Sequence, residues 1–227
     1  ARLNLTDSTV SNNATVEQPG GGVYGFFNST ITVTRSTISG NVGGDVAGGL
    51  RTLGNATIDN STISGNTSTA WHGGALFATD GTVAITNSTI VGNTAPDGTA
   101  GGLMVATFGA PVDVSVANSI IADNGSYNCQ VEIQSGGTAV LASLGNNVFT
   151  DTSCGDETTD QVVGGGGAVV DVLDDNGGPT LTHALLPGSP AIDAADSVVS
   201  PDVDQRGAPR PAGEEDAGSF EFGATVP

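Results

Sequence analysis

Any reaction run by this chain would fall to carboxylates, because they are nearly all of its titratable groups. Its 227 residues include 24 Asp and Glu, five Arg, two His and no Lys. Hydrolysis of a polysaccharide needs two or three carboxylates converging as general acid and base. The candidate outward positions of the first strand of each repeat read Asn4 and Thr6, Thr32 and Thr34, Thr57 and Asp59, Ala84 and Thr86, Ser115 and Ala117. Asp59 stands alone there and reads as a solvated strand residue. No Ser-His-Asp or Cys-His set is apparent by spacing. The sequence therefore points away from an enzyme, with a polysaccharide lyase or hydrolase as the alternative.

Other residues suggest binding or cross-linking. Residues 1–150 hold nine acidic side chains against three Arg, and residues 151–227 hold fifteen against two. Arg206 lies within Asp202-Val203-Asp204-Gln205-Arg206, with Asp216 and Glu221 downstream. A planar guanidinium can satisfy two carboxylates at once. A salt bridge of Arg206 with Asp204, Asp216 and Glu221 is expected to pin the tail. Calcium at Asp202, Asp204 and Asp216 is the alternative, since hard cations take several oxygen ligands. Cys129 and Cys154 have neither CxxC spacing nor a nearby His, so they read as a disulfide rather than metal ligands. Trp71, the only Trp, adjoins His72 in a loop, where it either stacks on a sugar or folds over the protein's own wall. The net charge of −19 makes nucleic acid and anionic membranes poor partners. No apolar run approaches the roughly 18 residues of a transmembrane segment.

The elements that must position these residues come from a repeat. Asn60-Ser61-Thr62-Ile63-Ser64-Gly65-Asn66 returns with small changes, its copies ending at Asn13, Asn41, Asn66, Asn93, Asn124 and Asn147. Such self-similarity indicates stacked coils. Apolar residues recur seven and five positions before each Ile, a period of two that marks a strand. The gap of five to the Ile is odd, so the chain must bend between. Gly-Gly pairs at 21–22, 48–49, 73–74 and 101–102 open a third strand in phase with the repeat. The fold class is all-β, a right-handed three-sided parallel β-helix (solenoid) over residues 1–147. Residues 148–227 form an irregular Asp-rich cap.

Asn41, Asn66, Asn93 and Asn124 are expected to form a corner ladder, their amides satisfying backbone groups of neighbouring coils. A second inward column reads Asp7, Arg35, Asn60, Asn87 and Asn118; its polarity places it at the first corner, partly wet, and Asp7 is expected to pair with Arg35. After Gly164 to Gly167, residues Ala168–Leu173 read as a strand. Ser189–Ala195 reads as a short helix with Ser189 as N-cap and Pro190 at its first position. Residues 164–223 are the candidate cover for the C-terminal end of the stack. Leu3-Asn4-Leu5-Thr6-Asp7 already belongs to a repeat, so no signal peptide is visible and the first coil is expected to be open.

The C-terminal motifs carry a resemblance. Ser143-Leu144-Gly145-Asn146-Asn147, Asp175-Asn176-Gly177-Gly178-Pro179-Thr180, Ala184-Leu185-Leu186-Pro187-Gly188-Ser189-Pro190-Ala191-Ile192-Asp193-Ala194, Asp204-Gln205-Arg206-Gly207 and Asp216-Ala217-Gly218 with Glu221 resemble the choice-of-anchor Q domain of secreted bacterial proteins. The resemblance begins near residue 141. It implies export to, or release from, a bacterial surface. The upstream coils look like pectin-lyase-type β-helices, and the Gly-Gly-Ala-Leu copies are similar to repeats of polymorphic outer-membrane adhesins. Lyases of the first type use calcium and an Arg or Lys base; Arg35 and Arg51 lack an acidic cluster in register.

These readings lead to a secreted or cell-surface structural or adhesive rod that works by contact. Its partners are further copies of itself, stacked end to end, or a surface polysaccharide or protein. Ice binding through the Thr-bearing face is a further alternative, although Asp59, Ala84, Ser115 and Ala117 interrupt the Thr columns.

Overall fold

Alternating apolar residues broken by an odd spacing send the chain round three sides. The computed structural model describes residues 1–155, 157–164 and 169–227. It is a parallel β-solenoid of about five turns. The first sheet stacks Arg2–Thr6, Thr30–Thr34, Asn55–Asp59, Gly81–Thr86, Val112–Ala117 and Ala139–Ser143. The second stacks Thr9–Ser11, Thr37–Ser39, Thr62–Ser64, Thr89–Val91, Ile120–Ala122, Val148–Phe149 and Gln161–Val162. The third stacks Val23–Gly25, Leu50–Thr52, Leu76–Ala78, Ala100–Thr107 and Tyr127–Ile133.

One column of the core runs Leu5, Val33, Ile58, Ile85, Val116 in direct register. A second runs Val10, Ile38, Ile63, Ile90, Ile121. The third sheet contributes Val23, Leu50, Leu76, Leu103 and Cys129. These meet in a single apolar cluster. β-Branched and Leu side chains fill so thin a core, and burial of each is worth roughly 1.5–3 kcal/mol. At the Gly-Gly positions the coils touch backbone to backbone: a Cβ on Gly48 would fall on the Thr67 main chain.

The first corner is a left-handed residue in every coil. Asp7, Arg35, Asn60, Asn87 and Asn118 have φ of 46°, 45°, 50°, 48° and 49°. Asn and Asp tolerate this conformation best. Arg35 is the exception, and its guanidinium grips Asp7 through two bonds of 2.8 Å. The column lies at the first corner as expected, but it is not inward: Asn60, Asn87 and Asn118 turn out toward the C-terminal segment, while Asp7 and Arg35 pair at the surface. The corner is stitched instead by the next residue, a Ser. The Ser8, Ser36 and Ser61 N–H groups donate to Ser36, Ser61 and Ser88 Oγ at 3.1, 3.1 and 3.2 Å. The Ser88 N–H continues to Ser119 Oγ at 3.1 Å.

The second corner holds the Asn ladder. The backbone N–H of Asn41 donates to Asn66 Oδ1 at 3.0 Å, that of Asn66 to Asn93 at 2.9 Å and that of Asn93 to Asn124 at 3.0 Å. Asn13 begins the run and Asn128 ends it. Asn147 is not a member. Val148 and Phe149 pair with Ile120 and Ile121, which puts Asn147 in the Ser column, where its Oδ1 accepts the Ser119 N–H at 2.9 Å. Cys129 and Cys154 are disulfide-bonded at a Cα separation of 4.9 Å.

The C-terminal segment departs furthest from expectation. Ser189–Ala195 is a turn rather than a helix: Asp193 adopts φ 56°, which ends the helical sense after one bond from the Ile192 N–H to the Ser189 carbonyl. Of the strand expected over 168–173, Ala168 lies outside the described residues, as do Gly165 to Gly167 of the glycine run. Val170–Asp174 is a strand, paired antiparallel with Thr182–Leu185. The described residues of the segment run along the flank of the stack and reach its last coils, where Asn146 and Gln161 donate to the Ala194 and Pro190 carbonyls. The segment lies as a strap along the outer face of the second sheet, where Val169, Leu185, Ala191, Ala217 and Phe220 bury Val91, Ile120, Ala122 and Val148. Thr37, Ser64 and Thr89 on that face bond to Leu181, His183 and Ser219. Small Thr and Ser side chains let the strap backbone come close, and a long lateral face offers more area to bury than one terminal rung.

Candidate ligand-binding groove

Turn lengths between the third and first sheets create the groove. Residues 53–54 and 79–80 make two-residue turns in consecutive coils. On either side the turns are longer, residues 26–29 before Thr30 and 108–111 before Val112. Three coil steps of about 4.8 Å set the two raised turns roughly 14 Å apart. Phe27 tops one wall and Phe108 the other, each 54% exposed. Phe26 stacks edge-on against Phe27 with ring centroids 4.8 Å apart, and Tyr24 continues the cluster.

Three recesses adjoin on this side, the first and second sharing lining residues and the second and third sharing Phe108. The first, about 470 Å³, is lined by Phe27, Ser29, Leu53, Gly54 and Asp80. The second, about 400 Å³, shares Phe27, Leu53 and Asp80 and adds Arg51, Thr79 and Phe108. The third, about 370 Å³, lies beyond Phe108 and contains Trp71, His72, Phe77 and Glu132. Aromatic residues normally favour burial. Here Tyr24, Phe26, Phe27, Trp71, Phe108 and Tyr127 are all exposed on this side of the molecule.

The outer column of the third sheet reads Tyr24, Arg51, Phe77, Met104 and Gln130, of which Arg51 and Phe77 reach the recesses. Val46 and Ala47, from the loop after the Asn corner, cover Phe77 and Met104. Arg51 lies over Phe77, its Cζ 4.1 Å from the ring centroid. It is 9% exposed, and among the described residues it has neither a salt-bridged carboxylate nor a partner for Nη1. Burial pulls its pKa down to about 10, against the weaker upward pull of Tyr24, Asp80 and Asp45. Burial likewise raises Asp80, while Arg51 opposes the rise. Thr79 Oγ1, Ser29 Oγ and His72 Nδ1 are also buried without a partner among the described residues. Each such group costs about 1–3 kcal/mol. All four residues line the recesses of this side: Ser29 the first, Arg51 and Thr79 the second, His72 the third.

The residues expected to be functional fall in several places. Trp71 and His72 border the third recess, with Trp71 60% exposed. The Asn ladder and the disulfide are internal. Arg206 does not gather three carboxylates: it pairs with Asp204 at 2.7 Å and lies over Phe220 at 3.6 Å. Glu221 is taken by Arg210 at 3.0 Å, a residue the sequence reading did not weigh. Asp216 instead accepts the N–H groups of Asp193 and Phe222. The calcium reading of Asp202, Asp204 and Asp216 finds no support. Both oxygens of Asp204 are occupied by Arg206 and by main-chain N–H groups of Arg206, Ala208 and Glu221. No group of three or more His, Cys, Asp or Glu among the described residues is placed to hold a metal ion. No helix among them is long and apolar enough to cross a membrane.

The aromatic groove had a signal in the sequence that went unused. Phe26-Phe27 and Phe108 sit just before first-sheet strands, at spacings that only the coil register shows to be opposite walls. Comparison of the chain with protein-family models, curated proteins and solved structures gave no match.

Proposed function

We propose that this β-solenoid is an exported bacterial surface or extracellular protein that acts by contact, holding saccharide in the groove between Phe27 and Phe108 without transforming it. The carrying observation is the bank of exposed aromatic rings around a floor of unpaired polar groups. Ring faces pack against the C–H faces of sugars, and the polar groups meet their hydroxyls. Asp80 and Glu132 line different recesses with Phe108 common to both, which favours binding over paired acid–base catalysis. The Cys129–Cys154 bond supports an oxidising compartment. The motifs that resemble the choice-of-anchor Q domain support the same location, and Asp204, Gln205, Arg206, Asp216 and Glu221 within them are the residues that hold the strap.

Titration of the intact protein with soluble polysaccharides, followed by Trp71 fluorescence and by calorimetry, tests this reading. Binding is expected, and Phe27→Ala with Phe108→Ala is expected to weaken it about tenfold or more, since each aromatic contact is worth about 0.5–1.5 kcal/mol beyond its buried area. Absence of binding to every saccharide class, or release of reducing sugar or unsaturated uronate at ordinary enzyme rates, overturns it.

A further inference from the structure

We infer that Arg51, Thr79 and Asp80 form a polar subsite that takes the hydroxyl groups of an uncharged glycan chain lying between the Phe27 and Phe108 rings. The inference deepens the saccharide reading and rests on it.

Three observations converge on this recess. The Arg51 guanidinium is nine-tenths buried and held against Phe77, so its plane is fixed before any ligand arrives. Its Nη1 and the Thr79 hydroxyl are buried, unpartnered among the described residues, and border the same cavity of about 400 Å³. Both seek an acceptor. Asp80 lines that cavity too and supplies an acceptor of its own. A sugar hydroxyl satisfies both kinds of group at once, accepting from Arg51 and donating to Asp80.

Charge then separates the glycan classes. Asp45 and Asp80 both act on Arg51 electrostatically, and Glu132 lies in the adjoining recess. The single cation is outnumbered locally, within a chain of net charge −19. A uronate or sulfated chain would bring further negative charge into that field. An ammonium could donate to Asp80 but cannot accept from Arg51, and it would set a second cation beside a guanidinium left unpaired. An uncharged chain avoids both conflicts, and its contacts depend little on salt.

Calorimetric titration of the intact protein against soluble β-glucan, mannan and galactan, beside polygalacturonate and a chitosan oligosaccharide, tests the inference. At least one uncharged chain is expected to bind, with an affinity that shifts less than about twofold between low and high salt. Arg51→Ala is expected to weaken it about tenfold or more, the worth of a charge-assisted hydrogen bond. Asp80→Asn keeps an acceptor but loses its charge, and is expected to weaken uncharged chains about fivefold while improving polygalacturonate. An unchanged melting temperature certifies each variant as folded. If Arg51→Ala does not fold, Thr79→Val and Asp80→Asn carry the test. Preference for polygalacturonate or chitosan over every uncharged chain overturns this inference and leaves the groove reading standing. Full binding by folded Arg51→Ala, or by Thr79→Val where that variant carries the test, removes the subsite. Binding of no saccharide removes both.

Discussion

Asn60 donates its side-chain amide to the Val203 carbonyl at 2.9 Å, although 143 residues separate them. The contact is one rung of a rail. Asn87 donates to Val199 and Asn118 to Asp196, so residues 196–203 step back along the solenoid one corner at a time. The left-handed corner residue has two tasks: it turns the chain, and it presents an amide to the strap.

Those tasks separate by mutation. Asn60→Gly keeps the φ of 50° accessible but deletes the amide, stranding the half-buried Val203 carbonyl. The expected cost is about 1–3 kcal/mol. Asn60→Ala deletes the amide and adds left-handed strain of about 1–2 kcal/mol. Urea denaturation should therefore rank parent, Gly, Ala in falling stability. An Ala variant as stable as the Gly variant would show that strain is not stored at this corner.

The Asn ladder predicts a difference between coils. Asn66 bonds to Asn93 through its backbone N–H and its amide, reaches the Ile38 carbonyl, and accepts from Asn41. It is fully buried. Asn66→Ala strands several of these groups and should cost about 3 kcal/mol or more. Asn13 is exposed and joins the ladder from one side only. Asn13→Ala should cost less than about 1 kcal/mol. Equal effects would mean that the stacked amides do not act as a buried network.

The same residues show what was legible in the sequence. Ile38, Ile63 and Ile90 were readable because period-two alternation leaves one solution for an inward face. Asn147 was misplaced because the copies were aligned on Asn, while the pair Val148-Phe149 is what matches Ile120-Ile121. Residues 175–221 could not be placed, since their partners lie as many as 168 positions away, as in the bond from Gln205 to Thr37. The groove depends on two short turns standing between two long ones. That relation exists only after the coils are stacked, and the spacing of Phe27 and Phe108 in the chain does not show it.

The Cys129–Cys154 bond closes a loop of sequence separation 25 around the coil with the least regular sequence. The chain-entropy model gives such a loop about 3.5 kcal/mol. The double variant Cys129→Ala, Cys154→Ala should lose about that much. Hydrogen exchange should then rise first at Tyr127–Ile133 and Val148–Phe149, while Leu50–Thr52 stays protected. Uniform loss of protection would mean that the solenoid unfolds as one unit and that the bond is not local in effect.

Glu221 makes the strap sensitive to pH. Burial pushes its pKa from 4.5 to about 7, helped by nearby Asp216 and opposed by Arg210 and the Asp216 N–H. Asp216 is raised too, chiefly by burial. Arg206 and Asp204 form the neighbouring pair. The folded state therefore holds a proton on Glu221 at pH values where the unfolded chain has released it. Stability from this group is complete below about pH 4.5 and is lost as pH rises through about 7. A shift of this size corresponds to roughly 3 kcal/mol. Chemical denaturation at pH 5 and at pH 8 should show the protein less stable at pH 8, with most of the difference removed in Glu221→Gln. Stability that rises over this interval in the parent, or a slope that survives unchanged in the Gln variant, would assign the titration to another group.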